Sequence, residues 1–90
     1  MIERKDGLCR LGGDVTLETV PELLHKVRPL IRSGVDTLDC LEVKNVDSSA
    51  LGLLLACKRE AMAAQSSMKF TGLPPSLLNL ASLYGVADQL

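Results

Sequence analysis

Hydrophobic periodicity changes back and forth along this 90-residue chain, and that alternation limits the fold more than any other feature. Short runs of β-type residues are followed each time by segments with helical spacing. Met1–Lys5 and Leu8–Leu11 flank Asp6-Gly7, a two-residue hairpin signal whose central residues both favour positive φ. Gly12-Gly13 is expected to break the second strand, with Asp14-Val15-Thr16-Leu17 leading away from it. Thr19 and Glu22 then read as a capping box, with Pro21 in the first helical turn. Val20, Leu23, Leu24, Val27, Leu30 and Ile31 give that helix one apolar face. Pro29 predicts a kink or a short final turn, because it lacks a donor and crowds the preceding turn, and Ser33-Gly34 ends the helix.

Thr37–Val43 reads as the next strand, a helix follows from about Ser49 to Gln65, and Met68–Thr71 forms a short last strand. Gly72–Pro75 turns the chain, and Pro75 starts a helix carrying Leu77, Leu80, Ala81 and Tyr84 before Gly85 stops it. The order β-β-α-β-α-β-α, without linker or repeat, predicts one α/β domain over residues 1–90. Its mixed sheet of about four strands has parallel pairs and three helices packed against it.

Only Phe70 and Tyr84 are aromatic, so Leu, Val and Ala must build the core. A net charge of −1 argues against a nucleic-acid backbone as partner, and Lys58-Arg59 reads as a solvated helix position. Cys9, Cys40 and Cys57 are odd in number and have no C-x-x-C spacing. They fit reduced, buried thiols and offer no metal framework; no cofactor motif is present either. The longest apolar run, Ala50–Cys57, falls far short of the roughly 20 residues that span a bilayer. The N-terminal MIERKDG has no apolar stretch of the signal-peptide type.

Enzymatic chemistry finds little support. The single histidine, His25, sits between Leu24 and Lys26 on a helix and reads as a surface residue. Ser48 has no base near it in sequence, and no nucleophile elbow or phosphate loop is present. The turn Val46-Asp47-Ser48-Ser49 is more informative. It joins the C-terminal end of a parallel strand to a helix N-terminus, the edge where open α/β sheets meet ligands and partners. One residue suffices as helix cap, so Asp47, Ser48 and Ser49 leave at least one polar group over.

The helix after the turn is apolar almost all round. At about 100° per residue, Ala50, Leu53, Leu54, Cys57, Ala61 and Ala64 form the core side. Leu51, Leu55 and Met62 lie roughly 120° away, either beneath a neighbouring helix or in an exposed docking patch that begins beside Ser48.

The segment VDSSALGLLL resembles the D-S-S-G-L-G signature of STAS domains, the fold of anti-sigma factor antagonists and of sulfate-transporter tails. LNLASLYGVADQL is similar to the end of the small MlaB-type STAS subunit of the Mla phospholipid transporter. That resemblance implies a cytoplasmic protein without catalytic activity. Its partner would be the ATPase of an ABC transporter that moves phospholipid between the two Gram-negative membranes, in a system linked to toluene tolerance. Membrane association would come only through that complex.

The implied partner-binding residues are Asp47, Ser48 and Ser49 with Leu51 and Leu55 of the following helix. The alternative implied by the family is an anti-sigma factor antagonist switched by a serine kinase at Ser48, the serine after the motif aspartate. Ala50 departs from the usual glycine; its methyl group favours helix and could crowd a kinase approaching the turn.

Overall fold

The computed structural model describes residues 1–90 throughout. Its strands are β1 (Ile2–Lys5), β2 (Leu8–Val15), β3 (Thr37–Val46) and β4 (Lys69–Thr71). Its helices are α1 (Val20–Arg32), α2 (Ser49–Ala63) and α3 (Pro75–Leu83), followed by a 3-10 turn at Ala87–Gln89. The sheet order is β1-β2-β3-β4, with β1 antiparallel to β2 and the other neighbours parallel. This is the mixed four-stranded α/β architecture expected from the alternation.

Several local expectations are corrected. In the hairpin, Asp6 alone takes the left-handed conformation (φ 55°), and Gly7 instead gives room to a neighbouring loop. A Cβ on Gly7 would stand 3.1 Å from Asp36 Oδ1. The Gly7 carbonyl accepts the amides of Asp36 and Thr37, at 2.9 and 3.1 Å. Gly12-Gly13 does not break β2, which runs on to Val15. It can do so because β3 is longer than expected and gains one residue on β2 at each of two irregularities.

The first irregularity turns Leu41 outward, leaving it 70% exposed. The Leu41 amide is satisfied there by Asp39 Oδ1 at 3.0 Å. A side chain on the bulged strand is thereby re-aimed without an orphaned backbone donor.

The expected capping box does not form. Thr19 Oγ1 accepts the Thr16 amide at 2.9 Å and donates to the Asp14 carbonyl at 2.9 Å, which holds the loop before α1 rather than the helix itself. Past Pro29, α1 continues to Arg32 and ends at the expected Ser33-Gly34, with Ser33 as its C-cap. Pro29 leaves the His25 carbonyl without its helical donor, but both residues are exposed, so water can serve that oxygen.

Leu23, Val27 and Ile31 of α1 face the sheet and pack in one core with Cys9, Leu11, Leu38, Cys40, Leu53 and Leu54. Each buried leucine stabilises the fold by roughly 1.5–3 kcal/mol relative to exposure. The other sheet face stays polar, carrying Thr37, Lys69 and an Arg10–Asp39 ion pair at 3.3 Å.

The all-round apolar character of α2 has a plain cause. The helix lies between α1 and α3 as well as over the sheet. Leu51 and Ala56 are therefore buried in addition to Ala50, Leu53, Leu54, Cys57 and Ala61. Ala64, expected on the core side, lies past the end of the helix and is exposed. Glu60 clamps α2 to α1 by meeting Arg28 and Arg32, both at 3.5 Å. Lys58 is half-buried rather than fully solvated, with its ammonium 6.0 Å from the Phe70 ring centroid.

Candidate functional site

Two loops meet at the C-terminal ends of the parallel strands: Thr16–Thr19 after β2 and Asp47–Ser48 after β3. They are held together by side chains rather than by sheet bonds. Asn45 Nδ2 donates to Asp14 Oδ1 at 2.9 Å, linking the ends of the two strands. Asp47 makes the closer tie. Its Oδ2 accepts the Leu17 amide at 2.9 Å, and its Oδ1 accepts both the Ser49 amide at 2.9 Å and the Ser49 hydroxyl. The Ser49 and Leu17 donors hold the Asp47 carboxyl below its ordinary value, with the Ser49 hydroxyl contributing most.

The three polar residues of the turn thus divide their roles. Asp47 satisfies the first free amide of α2 and anchors the other loop; Ser49 is engaged with Asp47. Ser48, the residue at the helix N-cap, is exposed and its hydroxyl makes no hydrogen bond within the chain. It is the surplus polar group that the sequence leads one to expect.

Ser48 stands at the rim of a shallow, largely apolar groove of about 280 Å³, lined further by Leu51, Leu55, Tyr84 and Val86. Leu51 is only 5% exposed: of the two alternatives for it, burial beneath a neighbouring helix holds and exposure does not, so it serves as groove floor. Leu55 is half-buried and forms a wall. Met62, placed beside them from helical spacing, is 71% exposed and lines a separate depression with Lys58, Ser66, Ser67 and Met68.

Three residues of this region escape a reading of the sequence. Tyr84 follows the buried spacing of α3, yet it sits at the C-cap of that helix and is 59% exposed. Val86 follows the Gly85 stop and folds back with its amide bonded to the Ala81 carbonyl at 2.9 Å. Leu17 is 74% exposed on the loop that Asp47 holds. The only available signal for it was an apolar residue isolated between Thr16 and Glu18.

The arrangement does not assemble a nucleophile with a base. His25 lies on the exposed side of α1. The three thiols are buried, and burial pushes each of them up, Cys40 and Cys57 to about 12. What the site offers is a free hydroxyl beside an apolar groove, which together suit docking of another protein.

A family model described as "Mlab, STAS domain" matches residues 2–90. The anti-sigma-B factor antagonist of Bacillus subtilis is 28% identical to this chain over 79 residues, covering 87% of this chain and 72% of that protein. The anti-sigma factor antagonist SpoIIAA in its unphosphorylated form shares the fold with a TM-score of 0.75 at 21% identity, over 98% of this chain and 82% of that one. The Bacillus cell fate determinant SpoIIAA in its phosphorylated form gives 0.67 at 22% identity, over 98% and 85%. At these identities the likeness to the solved structures is one of fold.

Proposed function

The chain belongs to the STAS domain family, and we propose that it is a non-enzymatic regulatory subunit that docks on the ATPase of an ABC phospholipid transporter maintaining outer-membrane lipid asymmetry. One observation carries the docking surface: the unbonded Ser48 hydroxyl at the edge of an apolar groove. The tail that resembles the MlaB-type subunit supplies the far wall of that groove, through Tyr84 and Val86. The family model carries the description Mlab, which favours the same branch. No helix is long and apolar enough to cross a membrane, so in this reading a cytoplasmic protein reaches the bilayer only through the transporter.

Coexpression with an ATPase of an ABC phospholipid transporter, followed by affinity capture, tests the surface. Ser48→Arg and Leu55→Asp should each abolish capture while the chain stays folded. Leu51→Asp is unsuitable, because it would place a charge in the core. Full capture of both variants would remove this surface from consideration.

A phosphorylation switch of the anti-sigma antagonist type is the second reading, favoured by the same free hydroxyl and by the relatedness to an anti-sigma-B factor antagonist. Here the partners are a serine kinase and an anti-sigma factor. A phosphate on Ser48 would add roughly −1.5 to −2 charge beside the Asp47 carboxylate and weaken an interface formed by the unmodified turn. Intact-mass measurement after incubation with candidate kinases separates the readings; an unchanged mass counts against the switch.

A further inference from the structure

Gly52 is a glycine that nothing within the chain requires. It lies inside α2 with an ordinary helical backbone, is exposed, and a Cβ built on it would meet no atom within 4 Å. Alanine would favour the helix more and collide with nothing. What glycine does provide is a notch at which another backbone can come close. The neighbours of the notch give it a direction. Ser48, Gly52, Leu55, Arg59 and Met62 are separated by four, three, four and three residues. At about 100° per residue they fall in one strip about 80° wide, opposite the buried Ala50, Leu53, Cys57 and Ala61. That spacing is the one along which a second helix packs. No element of this chain covers the strip: Ser48, Gly52, Arg59 and Met62 are exposed and Leu55 is half-buried.

The strip also carries charge of one sign. No acidic residue lies on it, and Arg59 has no ion pair within the chain. On the α1 side, Glu60 is already shared by Arg28 and Arg32. Three guanidinium groups thus stand against one carboxylate, on a chain whose net charge is −1. From the spacing, the notch and the charge we propose that this strip of α2 docks an acidic helix of the partner protein. The partner backbone comes closest at Gly52, an apolar side chain packs on Leu55, and a carboxylate meets Arg59. The proposal rests on the docking reading above and adds to it the chemistry of the partner's contacting element. A second copy of this chain docking through the same strip would set like charges together with no carboxylate on either side, so the occupant is a different protein.

Two substitutions test this, with an ATPase of an ABC phospholipid transporter as probe and the dissociation constant of the purified pair as readout. Gly52→Ala should raise the melting temperature of the chain alone, since alanine favours helix and meets no neighbour there. It should nonetheless weaken binding about tenfold, the scale of one methyl group forced into a packed contact. A stabilised variant that binds less well cannot owe its loss to unfolding. Arg59→Glu should weaken binding about tenfold or more at low salt, with the deficit shrinking as salt screens the repulsion. Wild-type affinity of Gly52→Ala overturns the close approach, and wild-type affinity of Arg59→Glu at low salt overturns the acidic helix. If either result comes with loss of binding in Ser48→Arg, the docking reading stands and this inference alone falls. Wild-type affinity of Ser48→Arg and Leu55→Asp removes the docking surface and this inference with it. Self-association of the chain that is lost in Gly52→Ala would assign the strip to a second copy and overturn the proposal.

Discussion

Ser48 and Asp47 are neighbours with opposite relations to the fold. The Ser48 hydroxyl bonds to nothing in the chain, so Ser48→Ala should leave stability within about 0.5 kcal/mol of wild type. Asp47 accepts three hydrogen bonds, and its folded carboxyl is held below the unfolded value of 3.8. The native state therefore binds that proton less readily than the unfolded state. The resulting stability is fully present above the unfolded value and is lost as pH falls through the folded one. Melting curves taken from pH 7 down to pH 3 should show Asp47→Asn converging on wild type at the acid end. Parallel curves across the whole range would mean that these hydrogen bonds contribute nothing to the folded state.

At the level of elements, β3 and β4 meet at a point that admits no side chain. Gly72 follows β4 with φ 65°, and a Cβ there would stand 2.9 Å from the Leu41 amide nitrogen and 3.1 Å from Asp39 Oδ1. Those are the two groups that satisfy the bulge in β3. Gly72→Ala combines backbone strain with a collision against main chain, and should cost about 1–3 kcal/mol in urea unfolding. A loss below about 0.5 kcal/mol would show that the bulge can shift freely.

This junction also marks what the sequence could convey. Element order, α2 and the turn after β3 were legible because they rest on local periodicity and on a polar cluster at a helix start. The length of β3 was not, since Lys44 and Asn45 look like loop residues and fall within the strand only because Val46 pairs with Val15 beyond the second irregularity. Leu51 was legible as displaced from the core face, while its burial depends on α3, far along the chain. Thr19 had the capping-box pattern, but the Thr16 amide and the Asp14 carbonyl competed for its hydroxyl and won. At the turn, the surplus hydroxyl of Ser48 is legible because a polar cluster at a helix start marks it, whereas the position of Leu17 depends on a bond between two loops that no local pattern signals.

Across the whole molecule, the three cysteines come from β2, β3 and α2 and are buried in the one core. Burial raises all three thiols, and for Cys40 and Cys57 negative charge on neighbouring groups adds to it, taking each to about 12. The unfolded chain releases these protons near 9.0, so between about pH 9 and pH 12 the native state holds more protons than the unfolded one. Stability is then complete below the unfolded value and declines as pH rises, by about 1.4 kcal/mol per pH unit for each thiol. Because the three thiols come from two strands and a helix and lie in one shared core, the decline should appear as a loss of the global transition and not as fraying of one helix. Urea unfolding between pH 8 and pH 10.5, with tris-phosphine present to keep the thiols reduced, measures it. Cys57→Ala should start from a lower stability at pH 8, through the small cavity it leaves, and should then fall less steeply with pH than wild type. Equal slopes for the two proteins would show that these thiols ionise without leaving the folded core.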